Sequence, residues 1–355
     1  MTPPPLPTIS AVARTPIGTS GQAFGSVQAA DLAAPVLARL AADLVASEVV
    51  LGNCTGPGGD LARVATLAAG LPVGTPALTV DRQCGSGLAA IEVAAALVAG
   101  SGRPVLAGGV ESASTSDRPG RARFAPAPYD DPEMGEAADR LSEQEGIDRV
   151  AQDAYAARSH TRAYDAQQAG RFDAEIVPVG EVTRDERPRQ GMTAARLARL
   201  PAAFRQGGTV TAGNSCGIND GAAAVSVVPG GPGLRILATA SAGVDPALPG
   251  IGLVPAVRQA LARADLGLDA MDVVELNEAF AGQVLACCRM LDLDPERVCP
   301  EGGALALGHP WGASGAVLAV RLFSQLMRPD GGRYGLAAIA VGGGQGVAMV
   351  VEACH

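Results

Sequence analysis

Cys84, His309 and Asn277 are the residues of this sequence whose type and setting could do covalent chemistry. Cys84 stands in Asp81-Arg82-Gln83-Cys84-Gly85-Ser86-Gly87, between a strand-like stretch, Ala77–Val80, and an apolar helical run from Leu88 to Ala99. A cysteine at a strand-to-helix turn meets the positive end of the helix dipole, which favours thiolate over thiol. The flanking glycines let a substrate carbonyl come close to backbone N–H groups, as an oxyanion hole requires. The other six cysteines have no such setting and read as structural. His309, in Gly308-His309-Pro310-Trp311-Gly312, is one of only three histidines. His355 ends the chain and His160 falls in a polar helix, so both read as surface residues. His309 is left as the base for the thiol and as a partner for charge on a substrate oxygen. Asn277, in Asn277-Glu278-Ala279-Phe280, either orients a water or carbonyl or is a simple turn residue.

The elements that must carry these residues occur twice. In the first half a helix around residues 31–46 precedes a β-type run, Glu48-Val49-Val50-Leu51, that ends at Gly52-Asn53. The Cys84 turn and its helix follow, then a buried strand over residues 104–110. In the second half a helix over residues 255–264 precedes Val273-Val274-Glu275-Leu276 and Asn277. The His309 turn and a strand over residues 335–341 follow, ending in Gly342-Gly343-Gly344. Asn53 and Cys84 are 31 positions apart and Asn277 and His309 are 32 apart, the mark of a duplicated layered α/β unit. A cysteine and a histidine at matching places in two copies can meet across a pseudo-twofold axis. The residues between, from about Ser112 to Gly213, hold most of the polar runs and one long helix over 152–169. They read as a cap carried on the first half.

Composition narrows the chemistry further. The 355 residues include 27 basic side chains, every one an arginine, against 36 acidic ones, for a net charge of −9. Without lysine there is no Schiff base, no pyridoxal phosphate anchor and no P-loop lysine. The acidic balance argues against nucleic-acid or anionic-membrane partners. The 46 glycines and 26 prolines accompany 48% hydrophobic residues, too many for a disordered chain, so the glycines belong in turns and close approaches of a packed fold. Seven scattered cysteines without paired ligand spacing predict no metal site and a reduced, cytoplasmic setting. Met1–Pro7 lacks the basic and apolar regions of a signal peptide, and no uninterrupted apolar run has the length of a membrane span.

These motifs, together with Arg14-Thr15-Pro16-Ile17-Gly18, Gly208-Thr209-Val210-Thr211-Ala212-Gly213-Asn214, Ile218-Asn219-Asp220-Gly221-Ala222 and Gly342-Gly343-Gly344-Gln345-Gly346, cover nearly the whole chain. In them the sequence resembles the thiolases, the acetyl-CoA acetyltransferase and 3-ketoacyl-CoA thiolase family. The resemblance implies a duplicated five-layered α/β/α/β/α fold with an inserted loop (cap) domain that binds coenzyme A. The divisions expected are residues 1–111, 112–213 and 214–355. It also implies Claisen condensation or thiolysis of acyl-CoA thioesters through an acyl-Cys84 intermediate. His309 would activate Cys84 and, with a water held by Asn277, stabilise an enolate oxygen. Backbone N–H groups of Cys84 and Gly342 would hold the oxyanion. Met134, Arg189, Phe204, Cys216 and Phe280 would contact coenzyme A, which is a substrate and not a resident cofactor.

The sequence also departs from that family. Its usual Cys-x-Gly, whose thiol removes the α-proton of the second substrate, is here Ala340-Val341-Gly342. Losing a positioned base costs about 10²–10⁴ in rate. Cys216 falls where the family has a small serine and is either a volume-matched replacement or a substitute base. A malonyl or carrier-protein partner, whose decarboxylation needs no base, is an alternative, as is a non-catalytic acyl-CoA-binding protein. Glu133 replaces a common histidine. The cap is shorter around Ser114–Asp131 and Gly180–Thr183; the first is where tetrameric relatives make contact, so a homodimer is expected.

Overall fold

In the computed structural model, which describes residues 6–116 and 123–355, the two halves build one continuous sheet with helices on both faces. Most of Met1–Pro7 and part of Ser114–Asp131 lie outside the described residues. The first half runs β1 (Thr8–Arg14), β2 (Gly18–Thr19), α1 (Ala29–Ala41), β3 (Glu48–Gly52), α2 (Leu61–Ala68), β4 (Ala77–Val80), α3 (Ser86–Ser101) and β5 (Val105–Ser112). The cap holds α4 (Met134–Gln144), α5 (Arg149–Gln168) and α6 (Ala194–Leu197). The second half follows with β6 (Asn219–Val228), β7 (Gly233–Gly243), α7 (Leu253–Ala264), β8 (Val273–Leu276), α8 (Ala281–Leu291), α9 (Ala304–Leu307), α10 (Trp311–Leu326), β9 (Tyr334–Val341) and β10 (Gln345–Cys354).

The strand order is β4-β3-β5-β6-β1-β7-β10-β9-β8. Parallel pairs at each outer end (β4-β3-β5 and β9-β8) give way to antiparallel pairs towards the middle. Among the described residues the two parts of the sheet join where Thr8 and Ile9 of β1 pair with Arg235 and Leu234 of β7. β6, assigned from sequence to the second half, hydrogen-bonds to β1 and β5 and so lies in the first half's sheet.

Three apolar cores make the five layers. Leu32, Val36 and Leu37 of α1 pack on Val49, Leu106 and Val110. Leu253, Val257 and Leu261 of α7 pack on Leu336, Ala338 and Val350. Between the two parts of the sheet, Leu88 and Ile91 of α3 meet Val317 and Leu318 of α10. Side chains of a strand alternate between faces, so β9 sends Leu336 and Ala338 outward but Ala337, Ile339 and Val341 inward. Both faces are covered, which is why β6, β9 and β10 read as continuous apolar runs without alternation.

The central helices touch backbone to backbone. A Cβ added to Gly87 would lie 2.8 Å from both the Ala316 nitrogen and the Gly312 carbonyl oxygen, and one on Gly315 would lie 2.5 Å from the Leu88 nitrogen. Only glycine permits this approach, and it brings the N-termini of α3 and α10 together. The stretch Gln83–Ser101 around α3 has the length and hydropathy of a membrane span, but it carries Glu92 and half of it is buried within the fold.

The cap does not ride on the first half as the sequence suggested. α4 packs on α8, and α5 on α8 and α9. A buried ion network ties its far end to both halves. Arg14 of β1 donates from Nε to Glu175 (2.7 Å) and forks onto both oxygens of Asp185 (2.7 and 2.8 Å), while Arg321 of α10 also pairs with Glu175.

Candidate active site

Cys84 immediately precedes Gly85, the N-cap of α3. Gln83 has φ of 44°, a left-handed conformation held by its own N–H donating to Asp81 Oδ1 (2.7 Å). Ser86 closes the turn: its Oγ donates to the Gln83 carbonyl (2.6 Å) and accepts from the Arg82 N–H (2.8 Å). Strain of this kind at a turn costs about 1–3 kcal/mol and marks a position held for function. His309 stands at the equivalent place, one residue before Pro310, the N-cap of α10. Its N–H donates to Asn219 Oδ1 (3.0 Å), and its ring Nδ1 shares a 2.6 Å hydrogen bond with Ser314 Oγ, leaving Nε2 as the ring nitrogen for chemistry.

One pocket of about 130 Å³ is lined by Cys84, His309, Gly342, Met134, Cys216 and Phe280, with Ala340 on the same wall. Gly342 begins the β9–β10 hairpin, whose next two residues, Gly343 and Gly344, have φ of 82° and 76° that glycine adopts without strain. The backbone N–H groups of Cys84 and Gly342 favour negative charge on the Cys84 sulfur.

Burial pushes the Cys84 thiol up to about 12, with Cys216 and the Glu111 carboxylate adding to it and the two N–H groups opposing. Burial alone takes His309 down to about 4. The resting pair at neutral pH is therefore a thiol and a neutral imidazole, an acceptor ready to take the thiol proton. Each ion is disfavoured alone, and forming the two side by side recovers part of the cost through their attraction.

The other expected residues lie around this pocket rather than in it. Asn277 is buried at the end of β8, and Ala279 and Phe280 just beyond it reach the lining. Phe204 is 43% exposed and meets Phe280 edge to face, ring centres 6.1 Å apart, at the pocket's flank. Arg189 is exposed, and Glu133 at the start of α4 is exposed too. His160 is not a surface residue: it is only 4% exposed, and burial, with Arg187 and Arg189 nearby, lowers it to about 4. The helix α5 that carries it is buried along one face because the cap docks on α8 and α9, which its polar sequence does not reveal.

Sequence reasoning also missed the groups that hold the site. Glu111 at the end of β5 accepts from Asn53 Nδ2 (3.0 Å), the Thr55 N–H (3.2 Å) and the Gly312 N–H (3.1 Å), so a first-half carboxylate anchors the start of α10. Glu278 accepts from the Tyr155 hydroxyl (2.9 Å), Ser159 Oγ (2.7 Å) and the Leu305 N–H (3.2 Å), fastening the cap to the Asn277 motif. The position of Glu278 beside Asn277 was a signal for the second. Nothing local marked the first. Among the described residues no cluster of His, Cys, Asp and Glu could hold a metal ion.

Comparison with known proteins identifies the family and the fold. Residues 8–230 match the model of the thiolase N-terminal domain and residues 232–353 that of the thiolase C-terminal domain. An acetyl-CoA acetyltransferase of Pseudomonas aeruginosa is 41% identical over 386 aligned positions, covering 97% of this chain and 98% of that protein. A Staphylococcus aureus protein named probable acetyl-CoA acyltransferase is 42% identical over 387 positions, with the same coverage. The crystal structure of the Bacillus anthracis acetyl-CoA acetyltransferase superposes with a TM-score of 0.93 at 39% identity, covering all of both chains. With its two domains matched almost end to end, this chain belongs to the thiolase family.

Proposed function

We propose that the protein transfers acyl groups from acyl-CoA thioesters through an acyl-Cys84 intermediate, as an acetyl-CoA acetyltransferase. The observation that carries this reading is the single pocket shared by Cys84, His309 and the backbone N–H of Gly342. His309 Nε2 takes the thiol proton as the sulfur attacks the thioester carbon. The carbonyl oxygen becomes an oxyanion, and the N–H groups of Cys84 and Gly342, which favour negative charge on that sulfur, receive it in this scheme. Removing one such donor elsewhere costs about 10²–10³ in rate. The carbon–sulfur bond to coenzyme A then breaks and leaves the acyl group on Cys84.

Met134, Cys216 and Phe280 line the way in for the pantetheine arm, with the Phe204 ring at its flank. Arg189, exposed and close enough to Arg187 to lower its affinity for a proton, is suited to the nucleotide phosphates. Asn277 holds a water against the second substrate's enolate oxygen in this scheme. We place the protein in a reducing compartment, since all seven cysteines are free. We further propose a homodimer, because β4 is an edge strand whose Leu78 is 41% exposed. A second reading, condensation with a decarboxylating malonyl or carrier-protein donor, is favoured by one observation: the pocket wall at position 340 is alanine and offers no thiol.

The test is to incubate the protein with acetyl-CoA labelled in the acetyl group and follow label on the intact chain. One equivalent should attach to the wild type and none to Cys84→Ala, with His309→Asn acylated far more slowly. Full acyl transfer by Cys84→Ala would falsify the assignment.

A further inference from the structure

Joining two acyl groups requires two separate proton movements, and the pocket holds three titratable side chains with which to make them: Cys84, His309 and Cys216. Cys84 is masked as a thioester when the second substrate must lose its α-proton. His309, having taken the Cys84 proton, is by then an acid. We propose that Cys216 is the acid and base of the condensation step: it protonates the departing coenzyme A sulfur and then, as thiolate, removes the α-proton of the second acyl-CoA. This inference rests on the acyl-Cys84 reading.

The geometry supports it. The segment carrying Cys216 is stitched to both catalytic loops. The Cys216 N–H donates to the Ala279 carbonyl (2.9 Å) and the Ala281 N–H to the Asn214 carbonyl (2.9 Å), while Ser215 bridges to Phe280. On the other side Ile218 bridges to His309, whose N–H is held by Asn219. The thiol is thus fixed between the Asn277 motif and the His309 turn, lines the same pocket as Cys84, and raises the Cys84 thiol. Behind it lies Arg187: a Cβ on Gly217 would sit 2.7 Å from the Arg187 Cζ, and Arg187 Nε has no hydrogen-bond partner. Burial takes the Cys216 thiol up to about 12, the Arg187 charge working against it. A buried thiol of that kind is a reluctant acid, but its thiolate is a strong base, which suits a weakly acidic α-carbon.

The protons balance. In the first half-reaction the Cys84 proton goes to His309, and coenzyme A leaves with the Cys216 proton. In the second, the Cys216 thiolate takes the α-proton and the C–H electron pair becomes the enolate, whose oxygen faces a protonated His309. The enolate carbon bonds to the acyl carbon, the bond to Cys84 sulfur breaks, and that sulfur recovers the proton from His309. Two acyl-CoA molecules yield one 3-ketoacyl-CoA and one free coenzyme A, with every residue restored.

The test separates the two half-reactions. Wild type, Cys216→Ala and Cys216→Ser are given labelled acetyl-CoA, and acyl-Cys84 is counted. The same proteins are then incubated with acetyl-CoA in deuterium oxide, and deuterium at the α-carbon is measured by mass spectrometry. Both variants should still reach one equivalent of acyl-Cys84, more slowly because coenzyme A then leaves without the Cys216 proton, while α-exchange and acetoacetyl-CoA formation fall by about 10²–10⁴. A defect that merely reflected packing would lower the final extent of labelling as well as the exchange. Adding Ala340→Cys to Cys216→Ala should restore part of the exchange, since it returns a thiol to the same pocket. Exchange by Cys216→Ala within about threefold of wild type, with labelling intact, overturns the proposal and leaves His309 as the base. Wild-type labelling without α-exchange, but with condensation from malonyl-CoA, overturns it in favour of the decarboxylating donor. Absence of label on the wild type overturns both this proposal and the acyl-Cys84 reading.

Discussion

Replacing Gly87 by alanine tests whether the contact between α3 and α10 sets the active site. The added Cβ would stand 2.8 Å from the Ala316 nitrogen and the Gly312 carbonyl oxygen and 3.1 Å from the Ala316 Cβ. Ordinary contacts begin near 3.4 Å, so the helices must part by roughly half an ångström or more, and none of the three atoms is the mobile end of a side chain. Overpacking of this kind costs about 1–3 kcal/mol. Alanine's better helix propensity returns up to about 1 kcal/mol, so the net loss expected is about 0.5–2 kcal/mol. The larger effect falls on catalysis. Cys84 and His309 sit at the N-termini of these two helices, and a displacement approaching 1 Å can cost about 10²-fold. Gly100, also in α3 but exposed with nothing within 4 Å of its Cβ direction, is the control. Gly100→Ala should be neutral or stabilising by up to about 1 kcal/mol with activity unchanged. Urea denaturation and the rate of Cys84 acylation are measured for both. If Gly87→Ala acylates at the wild-type rate, the helix crossing does not position the pair and the reasoning fails.

Two further outcomes concern acid and charge. His160 and His309 are both lowered from 6.5 to about 4, so between those values the unfolded chain binds more protons than the folded one. Stability therefore falls as pH drops through that window, by about 2 kcal/mol per histidine at pH 5. Urea titrations at pH 7.5 and 5 should show the loss, and His160→Gln should remove its own share of the slope. Glu175 is held below its ordinary 4.5 by Arg321 and Arg14, which outweigh its burial, so its contribution is complete above that value and disappears as pH falls below it. Glu175→Ala at neutral pH takes one carboxylate from both Arg321 and Arg14 in the interior, leaving Arg321 only Glu301 and Arg14 only Asp185, an expected cost at the lower end of about 3–5 kcal/mol in urea denaturation. A loss below 1 kcal/mol would show that the network is better solvated than its burial implies.

Much of the site was legible in the sequence because its chemistry is local. A cysteine between a strand and an apolar helix, a histidine between glycines, and matching intervals of 31 and 32 residues pointed to Cys84 and His309, which line one pocket, and to the duplication. The strands at Glu48–Gly52, Val273–Leu276 and Tyr334–Val341 were legible as apolar runs bounded by glycine or asparagine. β6 and β10, likewise covered on both faces and without alternation, were not read as strands.

What only the tertiary structure decided is what depends on distant residues meeting. Chain order put β6 in the second half, but its hydrogen bonds to β1 and β5 put it in the first half's sheet. His160 looked exposed on a polar helix until the docked cap buried it. Glu111 had no local signal, because its role comes from reaching the Gly312 N–H 201 residues away. Residue types and their spacing determined which groups could react. Which of them share a pocket, and with what protons at rest, was decided by the backbone contact of two glycine-lined helices and by burial of the charges around it.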